Sequence, residues 1–253
     1  MSFPNRFKDQ VALVTGAASG IGLGVSRRIA REGGTVIMAD IDRPALDAVS
    51  GALGDSPGGS WPAALDITKE ADVRDLMRET VARCGKLDIL VNSAGIVGPS
   101  ATNIADYDLS SFRQVLDVNL MGSFIVTKHA IKAMLGTGYG RILLMASISG
   151  KEGNPGMVGY STSKAGVIGL TKAIGKEYAQ TGITVNALAP AMIATPLAQS
   201  LDPDKLSLLT DKIPMGRLGA IDEVAAFACW IVSPEASFST GAIFDLSGGR
   251  ATY

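Results

Sequence analysis

Two cysteines and one histidine leave this chain of 253 residues nearly without the side chains that build disulfides and transition-metal sites. Cys84 and Cys229 lie far apart in helical patterns and read as small buried hydrophobes of a reducing compartment. His129 stands alone and is expected to pack in the middle of a helix, so no metal site is expected. Charge of one sign is also lacking. The 23 basic and 24 acidic side chains are evenly spread, and no basic stripe exists to neutralise nucleic-acid phosphates. Met1–Asp9 carries basic residues but no apolar h-region, so a secretory signal is not expected. No run approaches the roughly 18 apolar residues that span a bilayer. A cytoplasmic protein with no nucleic-acid or membrane partner is the expectation. What is present is a hydrophobic fraction of 47% against 19% charged residues, the balance of a packed globular chain.

Two kinds of apolar segment alternate. Short β-rich runs occur at Val11–Val14, Thr35–Ala39, Ile89–Val91, Arg141–Met145, Thr184–Leu188 and Ile243–Leu246, and Trp61–Leu65 adds another whose Pro62 suits a strand start. Helical spacing marks Ile21–Glu32, Pro44–Leu53, Ala71–Cys84, Phe112–Leu135, Gly159–Gln180 and Ile221–Val232. Several strand runs are continuously apolar, as strands covered on both faces are. Strand–helix repetition of this kind predicts an α/β fold, a single Rossmann-like doubly wound parallel sheet of about seven strands. No linker divides residues 1–253, and Gly51–Ser60 reads as a loop between adjacent units. The stretch 191–214 breaks the rhythm after a strand, with a short helical pattern near Lys205–Lys212. It is expected to form a substrate lid.

The first strand runs into Thr15-Gly16-Ala17-Ala18-Ser19-Gly20-Ile21-Gly22, followed by a helix. Glycines here allow a tight turn and close approach of backbone to a pyrophosphate, which the helix N-terminus attracts. The spacing is Gly-x-x-x-Gly-x-Gly, and a merely tight turn is the alternative. Asp40 closes the second strand. A carboxylate there accepts hydrogen bonds from a ribose 2′-hydroxyl and repels a 2′-phosphate. Ser19 and Ile41 supply no cation, and Arg43 is the nearest one, so NAD is favoured over NADP. The other role open to Asp40 is to cap the turn that follows.

Tyr160 and Lys164 stand four apart at the start of a long helical run and so share one face. A phenol with a pKa near 10 is poorly matched to neutral proton transfer. Moving it into the neutral range takes roughly 4 kcal/mol of differential stabilisation, which a nearby ammonium in a desolvated cleft can supply. Alone, such a pair arises by chance on many helices.

With its companions it does not. Over essentially its whole length the chain resembles the classical short-chain dehydrogenase/reductase family. Thr15–Gly22 is similar to the family's cofactor loop, and Asn92-Ser93-Ala94-Gly95 to the motif after its fourth strand. Asn119 stands at its catalytic asparagine, and Ser147 lies thirteen positions before Tyr160, as its serine does. The resemblance implies the strand order 3-2-1-4-5-6-7, helices on both faces and a homotetramer. In that tetramer the helices starting near Phe112 and Gly159 pair with a neighbour, and the last strand meets another subunit.

It also implies the catalytic set Asn119, Ser147, Tyr160 and Lys164. Ser147 would orient the substrate oxygen, and Tyr160 would take or give the proton. Lys164 would lower the tyrosine pKa and bind ribose hydroxyls, and Asn119 would hold a relay water. The implied cofactor set is Gly16, Ser19, Gly20, Ile21, Gly22, Asp40, Asp66, Ile67, Asn92, Ala94, Gly95, Tyr160, Lys164, Pro190, Ile193 and Thr195. Asp66 would contact the adenine, and Ile193 and Thr195 the carboxamide. Three positions depart from the pattern: Ser93 for an asparagine, Ala191 for a glycine (requiring a negative φ), and Leu246-Ser247 before Gly248-Gly249.

Ser147, Ser149, Lys151, Asn154, Tyr160 and Met192 are expected to face substrate, with Glu152 and Met157 beside them. Their polarity favours a polyol, sugar or sugar acid. Lys151 and Arg217 could receive a carboxylate, or Lys151 could be a solvated loop charge. The tail Arg250–Tyr253 is expected to reach an adjacent subunit. The activity expected is NAD-dependent interconversion of a secondary alcohol and a ketone. A 3-oxoacyl-thioester reductase is the alternative enzyme, and a non-catalytic NAD(P)-binding sensor is the alternative of another class.

Overall fold

Seven parallel strands form one sheet in the order β3-β2-β1-β4-β5-β6-β7. They are β1 (Val11–Thr15), β2 (Thr35–Asp40), β3 (Ser60–Ala64), β4 (Ile89–Asn92), β5 (Gly140–Met145), β6 (Ile183–Pro190) and β7 (Ile243–Leu246). The computed structural model describes residues 3–53, 58–199, 202–251 and 253. Side chains of successive strand residues point to opposite faces, and the apolar runs feed two cores. Ala12, Val14, Ile89, Val91, Leu143 and Met145 face one core; Leu13, Leu90, Ile142 and Leu144 face the other.

Helices α1 (Gly20–Arg31), α2 (Arg43–Ser50) and α10 (Ile221–Ile231) cover the first core. The second lies under α3 (Glu70–Cys84), α5 (Gly122–Met134) and α7 (Val158–Glu177). Local chemistry sets their ends. Asp42 caps α2 by accepting from the Ala45 amide at 3.0 Å, and Gly85 ends α3 with φ +78°.

Three expectations change, and one element was not expected. The run Phe112–Leu135 is not one helix: α4 (Leu109–Leu116) passes through a π-helical turn, Asp117–Met121, into α5. The run Pro44–Leu53 ends as a helix at Ser50, and Gly51–Leu53 tightens to a 3-10 turn. Pro62 sits inside β3 rather than at its start, opposite Met38, because β3 is an edge strand with one side free of ladder bonds. The segment after Ser147 is a short helix, α6 (Ile148–Glu152). In the 191–214 stretch, α8 (Pro196–Gln199) and α9 (Pro203–Thr210) appear, the latter near the expected helical pattern. Residues 200 and 201 of that stretch, 54–57 of the Gly51–Ser60 loop and Thr252 of the tail lie outside the described residues.

Candidate active site

Strand order reverses between β1 and β4, where the chain leaves to opposite sides and opens a crevice at the carboxyl edge of the sheet. The glycine loop fills the bottom of that crevice. Gly16 has φ +65°, and a Cβ there would lie 2.8 Å from the Ala94 amide nitrogen, so no side chain fits. Ser19 is the N-cap of α1, yet its hydroxyl caps nothing, and the first turn carries no acidic residue. The positive end of α1 therefore faces the crevice unneutralised, with a free hydroxyl beside it, an arrangement that suits a phosphate.

Asp40 caps the turn that follows it and also holds the glycine loop. Its Oδ2 accepts from the Ala18 amide at 3.0 Å, tying β2 to the glycine loop, and its Oδ1 accepts from the Asp42 amide at 3.0 Å. Both oxygens keep lone pairs for a hydroxyl. Arg43 is turned away onto Asp47, with Nε 2.8 Å from the carboxylate. Asp66 accepts from the Thr68 hydroxyl at 2.7 Å and the Thr68 amide at 2.9 Å, and the hydroxyl bond draws its carboxyl below the usual range. Ile67 points its side chain into the second core. On the opposite wall, Ile193 bridges to Gly219, and Thr195 lies against Gly20 of the loop. Pro190 ends β6 and Ala191 follows without positive φ, as expected for a residue bearing a Cβ.

The polar centre is a buried network. Asn92 accepts from the Thr15 hydroxyl at 2.5 Å and donates to Ser123 Oγ at 2.8 Å, and Ser123 donates to the Asn119 carbonyl at 2.5 Å. The Asn119 side chain is fully buried and fully used. Its Oδ1 accepts from the Ile96 amide at 2.8 Å, and its Nδ2 donates to the Ile96 carbonyl at 2.8 Å and Ser163 Oγ at 2.9 Å. It clasps the segment after β4, where Ala94 and Gly95 lie, to α7. Ser123 and Ser163 were not expected at the site. Ser123 lies four residues after Asn119, where the π-turn runs on into α5, a signal readable from spacing.

Ser147 caps α6, accepting from the Ser149 amide at 3.1 Å, and hydrogen-bonds Tyr160. Burial pushes the Tyr160 phenol above its ordinary value, and the Ser147 bond opposes that rise. Lys164 is buried, with Nζ 5.7 Å from the Tyr160 ring centre and donating to the Met145 carbonyl at 2.6 Å. Burial lowers its own pKa to about 8. The Ser147 bond thus favours phenolate against burial, while the Lys164 ammonium near the ring is held by a strand carbonyl. The held carbonyl belongs to the end of β5, a contact with no sequence signal.

The expected substrate residues divide. Ser149 and Asn154 are joined, Nδ2 to Oγ, at 2.6 Å. Met192 lies in the segment joined to Gly219, its carbonyl accepting that amide at 3.1 Å. Lys151 is neither a solvated charge nor a free cation: its side chain is 6% exposed and pairs with Asp245 at 3.0 Å. Arg217 is held by both oxygens of Glu223, at 2.8 and 2.7 Å. Arg250 and Tyr253 lie on α6 of their own chain. A cavity of about 320 Å³ opens between Ala191, Met215 and the end of β7. Among the described residues no His, Cys, Asp and Glu cluster could hold a metal, and no helix is long and apolar enough to cross a membrane.

A family model described as Enoyl-(Acyl carrier protein) reductase matches residues 16–251. The chain is 43% identical over 251 residues to 2-dehydro-3-deoxy-L-rhamnonate dehydrogenase (NAD(+)) of Sphingomonas sp. (strain SKA58), covering 99% of each. It is 37% identical to a 3-oxoacyl-(acyl-carrier-protein) reductase of Thermotoga maritima, covering 96% of this chain and 98% of that one. The crystal structure of NAD+-bound xylitol dehydrogenase superposes with a TM-score of 0.91 at 31% identity, covering 96% of this chain and 99% of that chain.

Proposed function

The chain belongs to the classical short-chain dehydrogenase/reductase family, and from that premise we propose that it is an NAD-dependent oxidoreductase interconverting a secondary alcohol and a ketone. One observation carries the reading: Ser147, Tyr160 and Lys164 meet at the carboxyl edge of the sheet, beside a glycine loop that Asp40 ties down. Ser147 donates to the substrate oxygen and orients it. Tyr160 removes the alcohol proton in oxidation and returns one in reduction. Lys164 carries positive charge beside the phenol and holds ribose hydroxyls. Asn119 spends its side chain on Ile96 and Ser163, so a relay water belongs on the second lone pair of its main-chain carbonyl, the first accepting from Ser123.

Gly16, Ser19, Gly20, Ile21, Gly22, Asp66, Asn92 and Thr195 line the cofactor crevice. NAD supplies the hydride acceptor and, when oxidised, a positive charge near Tyr160. NAD is preferred to NADP because the Asp40 carboxylate at the end of β2 would repel a 2′-phosphate and Arg43 is spent on Asp47.

A polyol, sugar or sugar acid is the substrate class. Its support is the polar lining at Ser149 and Asn154 together with the 43% identical sugar-acid dehydrogenase. Residues 1–253 form one domain, with 191–214 as a lid. The unbridged Cys84 and Cys229 suit a reducing cytoplasm. Reduction of a 3-oxoacyl thioester is the second reading, favoured by the Thermotoga relative. The test is a panel of xylitol, sugar acids and 3-hydroxyacyl esters with NAD and with NADP. We expect NADH formation on a hydroxylated substrate, and loss of roughly 10²–10⁴ in turnover for Tyr160→Phe. Turnover confined to acyl esters with NADPH selects the second reading. A Tyr160→Phe enzyme with full turnover removes Tyr160 from the chemistry, as a non-catalytic sensor would.

A further inference from the structure

We propose that the C-terminal tail scaffolds the substrate side of the active site, with Arg250 as the positioning residue for the segment that follows Ser147. The inference rests on Ser147 acting as proposed above.

Beyond β7 the chain turns back on itself. Ser247 donates its amide (3.0 Å) and its hydroxyl to Asp245 Oδ1, and Ser247 Oγ accepts from the Ala251 amide at 3.0 Å. This turn lays Arg250 across α6. The Arg250 side chain is only 10% exposed, with Nε 3.1 Å from Glu152 Oε2 and Nη2 2.9 Å from Asn154 Oδ1.

A guanidinium can only donate, so it claims the oxygen of Asn154 and turns the amide nitrogen the other way. That nitrogen donates to Ser149 Oγ at 2.6 Å, and the Ser149 amide donates to Ser147 Oγ at 3.1 Å. Accepting from Ser149 fixes one lone pair of the Ser147 oxygen, so its single proton is directed to the side where Tyr160 and the substrate oxygen meet. A directional chain therefore runs from Arg250 through Asn154 and Ser149 to Ser147.

A second tie runs beside the first. Lys151 pairs with Asp245 at 3.0 Å, and the Tyr253 hydroxyl donates to the Lys151 carbonyl at 2.6 Å. The Tyr253 ring lies 4.9 Å from the Lys151 ammonium. The same segment reaches the other catalytic groups. The Asn154 amide donates to Ser161 Oγ next to Tyr160, and a Cβ on Gly150 would lie 2.6 Å from the Lys164 backbone.

A five-residue helix cannot hold its own geometry, so these ties from the tail must. Lys151, Glu152, Asp245 and Arg250 sum to zero charge. The network therefore imposes orientation on Ser147 without shifting the net charge at the reacting oxygen.

The test is a double-mutant cycle of Arg250→Ala and Asn154→Ala, run on the full-length enzyme with the most active alcohol from the panel above. Arg250→Ala is expected to lower kcat/KM roughly 10-fold through misplacement of Ser147. The pH midpoint of the rate and the Kd for NADH, from fluorescence titration, are expected to stay unchanged. Arg250→Lys should restore part of the loss, and the double variant should be no worse than the poorer single one. Additive losses, or an Arg250→Ala enzyme within about twofold of the parent, overturn the proposal. Should Arg250→Ala fail to fold, Tyr253→Phe and Arg250→Lys carry the same comparison, since each loosens one tie and keeps bulk. Tyr160→Phe is assayed alongside. Activity there defeats the catalytic reading itself, whereas an inactive Tyr160→Phe with an unaffected Arg250→Ala defeats only the role of the tail.

Discussion

At the scale of single residues, the site trades stability for chemistry most visibly at Lys164. Its ammonium is buried against the Met145 carbonyl, and burial lowers its pKa from 10.5 to about 8. Below pH 8 both folded and unfolded chains hold the proton, so the cost of burying the charge is fully present at neutral pH. Between about pH 8 and 10.5 the unfolded chain binds more protons than the folded one, and stability rises with pH through that window. Lys164→Met removes the buried charge and keeps most of the bulk. Its expected gain is about 1–3 kcal/mol in urea denaturation at pH 7, shrinking above pH 8, with turnover lost. A variant less stable than the parent at pH 7 would show that the Met145 bond outweighs desolvation. Asp40 carries a related lesson. Its spacing from the glycine loop pointed to ribose recognition or to a turn cap, and in the folded chain the same carboxylate also anchors the Ala18 amide.

Among the elements, the π-turn Asp117–Met121 has the most consequence for the site. It turns Asn119 inward, where one amide satisfies the Ile96 amide, the Ile96 carbonyl and Ser163. Truncation would strand several buried polar groups at once. Asn119→Ala is therefore expected to cost roughly 1–3 kcal/mol in thermal or urea unfolding, besides its effect on turnover. A change under about 0.5 kcal/mol would mean that water replaces the side chain fully. Periodicity could not expose this element, because Phe112–Leu135 keeps its apolar spacing across the turn. Helix α6 escaped for the opposite reason: five residues are too few to establish any period.

For the whole molecule, we propose a homotetramer, and α5 offers the face for it. Phe124 and Leu135 are 42% and 46% exposed, and Met121 just before the helix is 48% exposed. These side chains lie along one stripe at helical spacing, the pattern of a helix that packs on both sides. Phe124→Glu places charge in that stripe. It is expected to convert the tetramer to smaller species in sedimentation velocity while leaving the fold intact by circular dichroism. A parent enzyme that sediments as a monomer at micromolar concentration would refute the assembly.

What the sequence alone determined was the alternating sheet, the glycine loop with Asp40 after it, and the Ser147, Tyr160 and Lys164 set. The first two are legible because each depends on spacing within one element or across one strand–helix junction, where backbone geometry translates sequence distance into spatial distance. The set of three is legible through the family resemblance, since Ser147 before α6 and Tyr160 in α7 lie on different elements. Only the tertiary structure decided what Lys151 and Arg250 do. Their partners Asp245, Glu152 and Asn154 include contacts bridging more than ninety residues of chain. A cation's role follows from the carboxylate it finds, and that is set by how β7 and α6 pack, which no local pattern encodes. The same holds for the proton at Tyr160: burial raises the phenol's pKa and the Ser147 bond opposes that rise, and both come from packing around α7 that no spacing encodes.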